Sequence, residues 1–151
     1  MSKKNKYQVL TYLEEGAQLP ERQTPYAAGY DVSSIEEVSI PPGVTIMVKT
    51  GLRFQLPDNL EMQIRPRSGL AIKNGIQIAN SPGTLDADYR GELKILLYNA
   101  SPNPFTVEKG MRIAQVVYNE YIVVDHPIVE KIEELEDTER GEGGFGHTGT
   151  D

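Results

Sequence analysis

Three short stretches of this 151-residue chain gather residue types that can do chemistry. In Ser81-Pro82-Gly83-Thr84-Leu85-Asp86-Ala87-Asp88-Tyr89-Arg90-Gly91-Glu92, two carboxylates stand two residues apart. On a strand, Asp86 and Asp88 share a face at a spacing of roughly 6–7 Å. Such a pair suits a divalent cation, or one member serves as a general base. The alternative is a pair of solvated loop carboxylates salt-bridged to Arg90. In Arg65-Pro66-Arg67-Ser68-Gly69-Leu70, the two arginines point one way on a strand and lead into a helix start at Ser68. Two guanidiniums, a hydroxyl and unpaired helix-end amides make an anion cradle. Equally, the arginines decorate a solvated face and Ser68 is only a cap.

The third stretch is Arg140 to Gly149, RGEGGFGHTG, with five glycines in ten residues. Gly141, four further residues, then Gly146-His147-Thr148 nearly match the phosphate-loop pattern, but His147 replaces the lysine that pattern requires. Three residues remain after Thr148, too few for the helix that must follow, so a P-loop NTPase is excluded. What survives is physical: glycine lets backbone amides approach phosphate oxygens closely. Phe145, one of only three phenylalanines, has no apolar neighbours with which to form a core, and offers a stacking surface. Read by itself, such a tail is otherwise disordered.

The elements that must position these residues are short strands. Ten prolines spread from 20 to 127 leave few windows for a long helix. Leu60 to Arg65 alternates strictly between apolar and polar, the pattern of a half-buried strand. Ile46 to Phe54, Leu93 to Tyr98 and Ile113 to Val124 also read as strands. Turn signals at Pro41-Pro42-Gly43, Pro57-Asp58-Asn59, Ser81-Pro82-Gly83 and Glu108-Lys109-Gly110 punctuate them. Pro82-Gly83 suits a type II turn with glycine at positive φ, and Ile76–Asn80 and Thr84–Asp88 form the arms of a hairpin around it. One short helix follows Ser68 as N-cap and stops at Asn74-Gly75. Residues 128–135 carry a weak helical pattern or form an extended arm. The expected fold is an all-β barrel or sandwich in a single domain.

Composition narrows the function classes. The net charge of −7 is concentrated in residues 130–151, which hold eight acids and two bases. The remainder is nearly neutral and has no basic stripe, so neither nucleic acid nor an anionic membrane is an expected partner. Without cysteine there is no disulfide framework and no thiolate metal site. Behind the lysines of MSKKNKYQVL no apolar segment follows, and no run approaches membrane-spanning length. A cytoplasmic or otherwise unexported protein is the expectation. His126 has no identifiable partner, and nothing places either histidine near a serine for a hydrolytic triad.

Taken together, the stretches resemble the five motifs of the trimeric dUTPases, in family order. Ala28-Gly29-Tyr30-Asp31-Val32 resembles the first and Arg65–Leu70 the second. Asp86–Glu92 resembles the core of the third, Lys109-Gly110-Met111-Arg112-Ile113-Ala114-Gln115 the fourth, and Arg140–Gly149 the fifth. The resemblance implies a jelly-roll-like β-barrel at 1–129 with one short helix, followed at 130–151 by an extended, mobile C-terminal arm and phosphate-binding tail. It implies a homotrimer whose three sites are shared between subunits and hydrolyse dUTP to dUMP and diphosphate. Mg²⁺ is held mainly by the triphosphate.

The residue roles it implies are specific. Asp86 accepts the proton of a water that attacks the α-phosphorus. Tyr89 packs on the deoxyribose and leaves no room for a 2′-hydroxyl. Asn80 and the backbone around Gly83 hold uracil. Arg67, Ser68 and Gly69 bind phosphate oxygens, and Gln115 does likewise or orients water. Asp31 reaches the metal through water. Arg140, Gly146, His147 and Thr148 hold the outer phosphates, and Phe145 covers the base. This chain departs from the family pattern at His147, where many members carry Ser, at Met111, where an acid is frequent, and at Thr84, where an aliphatic is common. A dCTP deaminase shares the implied fold and trimer, but the Asp-Ala-Asp-Tyr run and the Arg-Gly tail favour the hydrolase. A catalytically idle, nucleotide-gated regulatory module is the reading from a different class.

Overall fold

The computed structural model describes residues 7–146 and 148–149. Their strands are β1 (Leu10–Leu13), β2 (Tyr30–Ser33), β3 (Val38–Ile40), β4 (Thr45–Lys49), β5 (Leu52–Gln55), β6 (Leu60–Arg65), β7 (Ile76–Ile78), β8 (Gly83–Leu85), β9 (Lys94–Asn99), β10 (Phe105–Val107) and β11 (Arg112–Glu120), with one helix, α1 (Ser68–Asn74). Four antiparallel sheets result: β2-β11-β6-β8, β4-β9-β7, β1-β5 and β10-β3. They do not close into one hydrogen-bonded barrel. The all-β, jelly-roll-like architecture stands, with one short helix as expected.

Alternation builds the core. Leu60, Met62 and Ile64 of β6 point inward, as do Ile95 and Leu97 of β9, Leu52 and Phe54 of β5, and Ile76 and Ile78 of β7. These side chains form a single cluster with Val32, Ile40, Val107, Ile113 and Val116. On β11 the alternation slips at a register shift between Arg112 and Ala114, so that Ile113 and Ala114 are both buried. At the far end of the core, buried Asn99 donates to the carbonyls of Ile40 (2.9 Å) and Asn103 (2.7 Å). Its own oxygen accepts from the amide (2.9 Å) and hydroxyl (2.8 Å) of Ser101.

Several expectations need correction. The strand read over Ile46–Phe54 is two strands, because Gly51 adopts φ +70° and turns the chain between them. β11 stops at Glu120, and residues 121–124 run on outside any ladder. The hairpin around Pro82-Gly83 does not form: β7 pairs with β9, whereas β8 pairs with β6, so its two arms belong to different sheets. Gly83 is a ladder residue opposite Ile64 and has no positive φ. By contrast, Gly43 and Gly110 do take φ +74° and +86° at their turns.

Beyond Glu120 the arm crosses solvent with Ile122, Val123, Val124, Ile128, Ile132 and Leu135 exposed. The one regular element among its described residues is a 3-10 turn at Ile132–Glu134, where the Glu134 carboxylate accepts from the amides of Glu130 and Lys131, both at 2.9 Å. No helix among the described residues is long and apolar enough to cross a membrane.

Candidate active site

A cleft of about 350 Å³ opens between β8 and the β4–β9 face, and Asn80, Thr84, Asp86, Tyr89 and Glu92 line it. Leu85 is the last ladder residue of β8 and is buried, which delivers the exposed Asp86 to the rim. The chain then turns tightly, Tyr89 N–H donating to the Asp86 carbonyl at 3.1 Å. That turn ends the strand alternation, so Asp86 and Asp88 do not form a strand-spaced pair. Asp88 is absent from the cleft lining and borders a neighbouring hollow with Asp58, Glu61, Arg90 and Tyr121, while Asp86, on the rim between the two, lines both. Nor does the Arg90 guanidinium serve these carboxylates: it donates to the carbonyls of Ala87 (2.7 Å) and Tyr89 (3.3 Å). Asn80 borders Gly83 closely, its amide nitrogen standing 3.2 Å from where a Cβ on Gly83 would be.

A second constellation sits on the β2-β11-β6 sheet. Register places Gln115 between Asp31 and Arg65, and directly opposed residues share a face. Asp31 holds two cations, with Arg67 Nε 3.3 Å from one carboxylate oxygen and Arg112 Nη1 3.4 Å from the other. Arg67 also donates to the Arg112 carbonyl at 3.2 Å. Gln115 donates through Nε2 to the Pro66 carbonyl at 2.9 Å, tying β11 to the segment that enters α1. Sequence reasoning cast Ser68 as N-cap, but the cap residue is Arg67, in extended geometry, and Ser68 is the first helical residue. Ser68 and Gly69 are exposed. Arg65 leaves the anion-facing role expected beside Arg67, because its guanidinium is directed to Gln63 Oε1 at 2.8 Å.

The tail forms a third group. Arg140 Nε donates to the Gly143 carbonyl (2.7 Å) and Gly143 N–H returns the bond to Arg140 (3.1 Å). Thr138 Oγ1 accepts from Gly141 N–H at 3.1 Å. Phe145 is fully exposed at φ +52°, a left-handed conformation uncommon for a bulky side chain. Arg140, Phe145, Gly146 and Thr148 line a hollow bounded by residues of the tail alone. His147 lies outside the described residues.

One chain does not unite these groups. Leu85 pairs with Met62, so Asp86 leaves the sheet at the Leu60 end of β6, whereas Arg67 and α1 follow its Arg65 end. Arg67 lies six positions after Glu61, on the order of 20 Å at strand rise. No described tail residue lines the cleft. Among the described residues no three His, Cys, Asp or Glu side chains are placed to hold a metal ion.

Two supporting residues went unread in the sequence because their roles depend on distant partners. A Cβ on Gly29 would stand 2.0 Å from Gln115 Oε1. The Glu92 carboxylate accepts from Gly51 N–H at 2.9 Å.

Comparison with known proteins places this geometry. The dUTPase family matches residues 15–149. The chain is 49% identical over 143 residues to a deoxyuridine 5′-triphosphate nucleotidohydrolase of Chlamydia pneumoniae, covering 93% of this chain and 97% of that one. It is 53% identical over 137 residues to that of Nautilia profundicola, covering 91% and 94%. Among solved structures, the Staphylococcus bacteriophage 80alpha dUTPase with dUPNHPP superposes with a TM-score of 0.86 at 29% identity, over 95% of this chain and 99% of that one. The five motifs, the fold and these matches agree: the chain belongs to the dUTPase family.

Proposed function

We propose that this protein hydrolyses dUTP to dUMP and diphosphate, limiting uracil incorporation into DNA and supplying dUMP for dTMP synthesis. The observation that carries the reading is the cleft that gathers Asn80, Asp86 and Tyr89 in a chain of this family. Asn80 and the β8 backbone at Gly83 offer hydrogen bonds to a uracil edge. Asp86, at the rim, takes a proton from water as the water oxygen bonds to the α-phosphorus. The bond from that phosphorus to the α–β bridging oxygen breaks, and diphosphate leaves.

Arg67, Ser68, Gly69 and Gln115 form the phosphate side. Gly69 has no positive φ and nothing within 4 Å of a would-be Cβ, so nothing in this chain requires glycine there. Close approach of a phosphate oxygen to its backbone supplies the reason. The carboxylate chemistry present fits Mg²⁺ held chiefly by the triphosphate, since Asp31, the carboxylate beside Arg67, already faces two guanidiniums. When bound, the ion neutralises charge on the phosphate oxygens. Asp31 orients Arg67 and Arg112 and would hold the ion through water.

The separation of Asp86 from Arg67 along β6, with an arm of exposed aliphatic residues, supports a homotrimer whose sites draw on different chains. The tail then closes over a neighbour's site, Arg140, Gly146, His147 and Thr148 on the outer phosphates and Phe145 over the base, excluding water. A cytoplasmic setting accords with this chemistry.

The test is diphosphate release from dUTP, dTTP, UTP and dCTP with Mg²⁺. Turnover is expected with dUTP, near absence with dTTP and UTP, and a loss of at least about a hundredfold in Asp86→Asn. Ammonia release from dCTP, or full activity in Asp86→Asn, overturns the reading.

A further inference from the structure

The Tyr89 ring lies directly over Gly91. A Cβ on Gly91 would stand 2.2 Å from the Tyr89 hydroxyl, 2.4 Å from Cζ and 2.8 Å from Cε1, and these are the three nearest atoms. Gly91 has no positive φ, so the ring, and not the backbone, excludes a side chain there. The Tyr89 hydroxyl donates to the Glu92 carbonyl at 3.0 Å, closing the loop across Gly91.

The next links fasten that loop to the core. Glu92 accepts through its carboxylate from Gly51 N–H at 2.9 Å, at the turn between β4 and β5. Arg53 donates to the Arg90 carbonyl at 3.1 Å, and Leu93 N–H donates to the Leu52 carbonyl at 2.8 Å. Residues 90–93 are thus laced to residues 51–53. The turn they grip is closely packed, Gly51 sitting at φ +70° with Ala17 Cβ 2.9 Å from where its own Cβ would be. A half-exposed tyrosine at a cleft mouth is ordinarily free to change rotamer. Here its height over the cleft is set by a glycine floor and a carboxylate tether.

We propose that Gly91 and Glu92 are positioning residues for Tyr89, which together set discrimination between deoxyribose and ribose. Any Cβ at 91 lifts the ring from its seat and opens space beside C2′. Loss of the Glu92 tether lets floor and ring shift together. The inference rests on the reading of Tyr89 as the sugar-packing wall.

The experiment measures kcat and KM for dUTP and UTP in the full-length protein and in Tyr89→Ala, Gly91→Ala, Glu92→Ala and Glu92→Gln, with a thermal melt for each. Gly91→Ala and Glu92→Ala are expected to reduce the dUTP/UTP ratio of kcat/KM by about tenfold or more, with KM for dUTP affected more than kcat. Glu92→Gln is expected to keep most of the discrimination, since an amide oxygen still accepts from Gly51. Adding Gly91→Ala to Tyr89→Ala is expected to change nothing further. Unaltered discrimination in folded Gly91→Ala overturns the proposal, as does Glu92→Gln matching the loss in Glu92→Ala. If Tyr89→Ala itself discriminates like wild type, the sugar-wall reading fails instead.

Discussion

Gln115 occupies the space that a side chain at position 29 would need: a Cβ on Gly29 would stand 2.0 Å from its Oε1 and 3.0 Å from its Cδ. The same side chain donates to the Pro66 carbonyl, so Gly29 indirectly fixes the entry to α1. Gly29→Ala is therefore expected to push Gln115 off Pro66 and lower kcat/KM for dUTP by about 10–100-fold, on the scale of one displaced catalytic-site group. Steady-state kinetics beside a thermal melt check this. Wild-type turnover in a folded Gly29→Ala protein would remove Gln115 from the site.

The tail is separable from the core, whose buried residues end at Val117. Deleting residues 140–151 is expected to leave the melting temperature and assembly state unchanged while dUTP turnover falls by about a hundredfold or more, as for loss of a closing lid. Sedimentation and a diphosphate assay on one sample decide it. Near-normal turnover by the truncated protein would deny the tail any part in the site.

Asn99 is a stability position outside the cleft lining. Both its side-chain polar atoms are engaged at zero exposure. Asn99→Ala strands the carbonyls of Ile40 and Asn103 and the Ser101 amide. The expected cost is about 2–4 kcal/mol, measured by urea unfolding at fixed chain concentration. KM for dUTP should not move in the fraction that remains folded.

Tyr118 supplies a pH dependence. Burial, reinforced by the neighbouring Tyr30, pushes its hydroxyl well above the ordinary tyrosine value of 10.0. The two rings meet edge-on, with centroids 5.4 Å apart. Above pH 10 the unfolded chain releases this proton while the folded one keeps it. Folding stability should therefore fall with rising pH by up to about 1.4 kcal/mol per unit from this group. Tyr118→Phe should flatten that alkaline slope without changing stability's pH dependence near neutrality. An unchanged slope would mean the hydroxyl is not protected by the fold.

What the sequence disclosed and withheld follows from the range of the interactions. Strict alternation at Leu60–Arg65 is a local signal, and β6 spans those same residues. The turns at Gly43 and Gly110 were equally legible, since each needs only its own glycine. The hairpin at Ser81-Pro82-Gly83 misled because the partners of its arms, β9 and β6, are chosen by packing and not by the turn between them. At Ser68, a good capping residue lies one position inside the helix because Arg67, held by Asp31, already ends the extended segment. The five motifs pointed to candidate site residues, but not to what steadies them. Glu92 reaches Gly51 across 41 residues, Gln115 reaches Pro66 across 49, and Asn99 reaches Ile40 across 59. No local pattern encodes such pairings.

The placement of Asp86 and Arg67 at opposite ends of β6 has a genetic consequence. Where each site takes its base from one chain and its phosphate grip from another, two different inactive alleles do not fail in the same site. Chains carrying Asp86→Asn, mixed with chains carrying Arg67→Ala, would reassemble some sites with both groups intact and concentrate both lesions in others. Activity would reappear from two dead parents. In the proposed trimer, a cell expressing one damaged copy beside a sound one would lose sites in proportion to how the chains are dealt among assemblies.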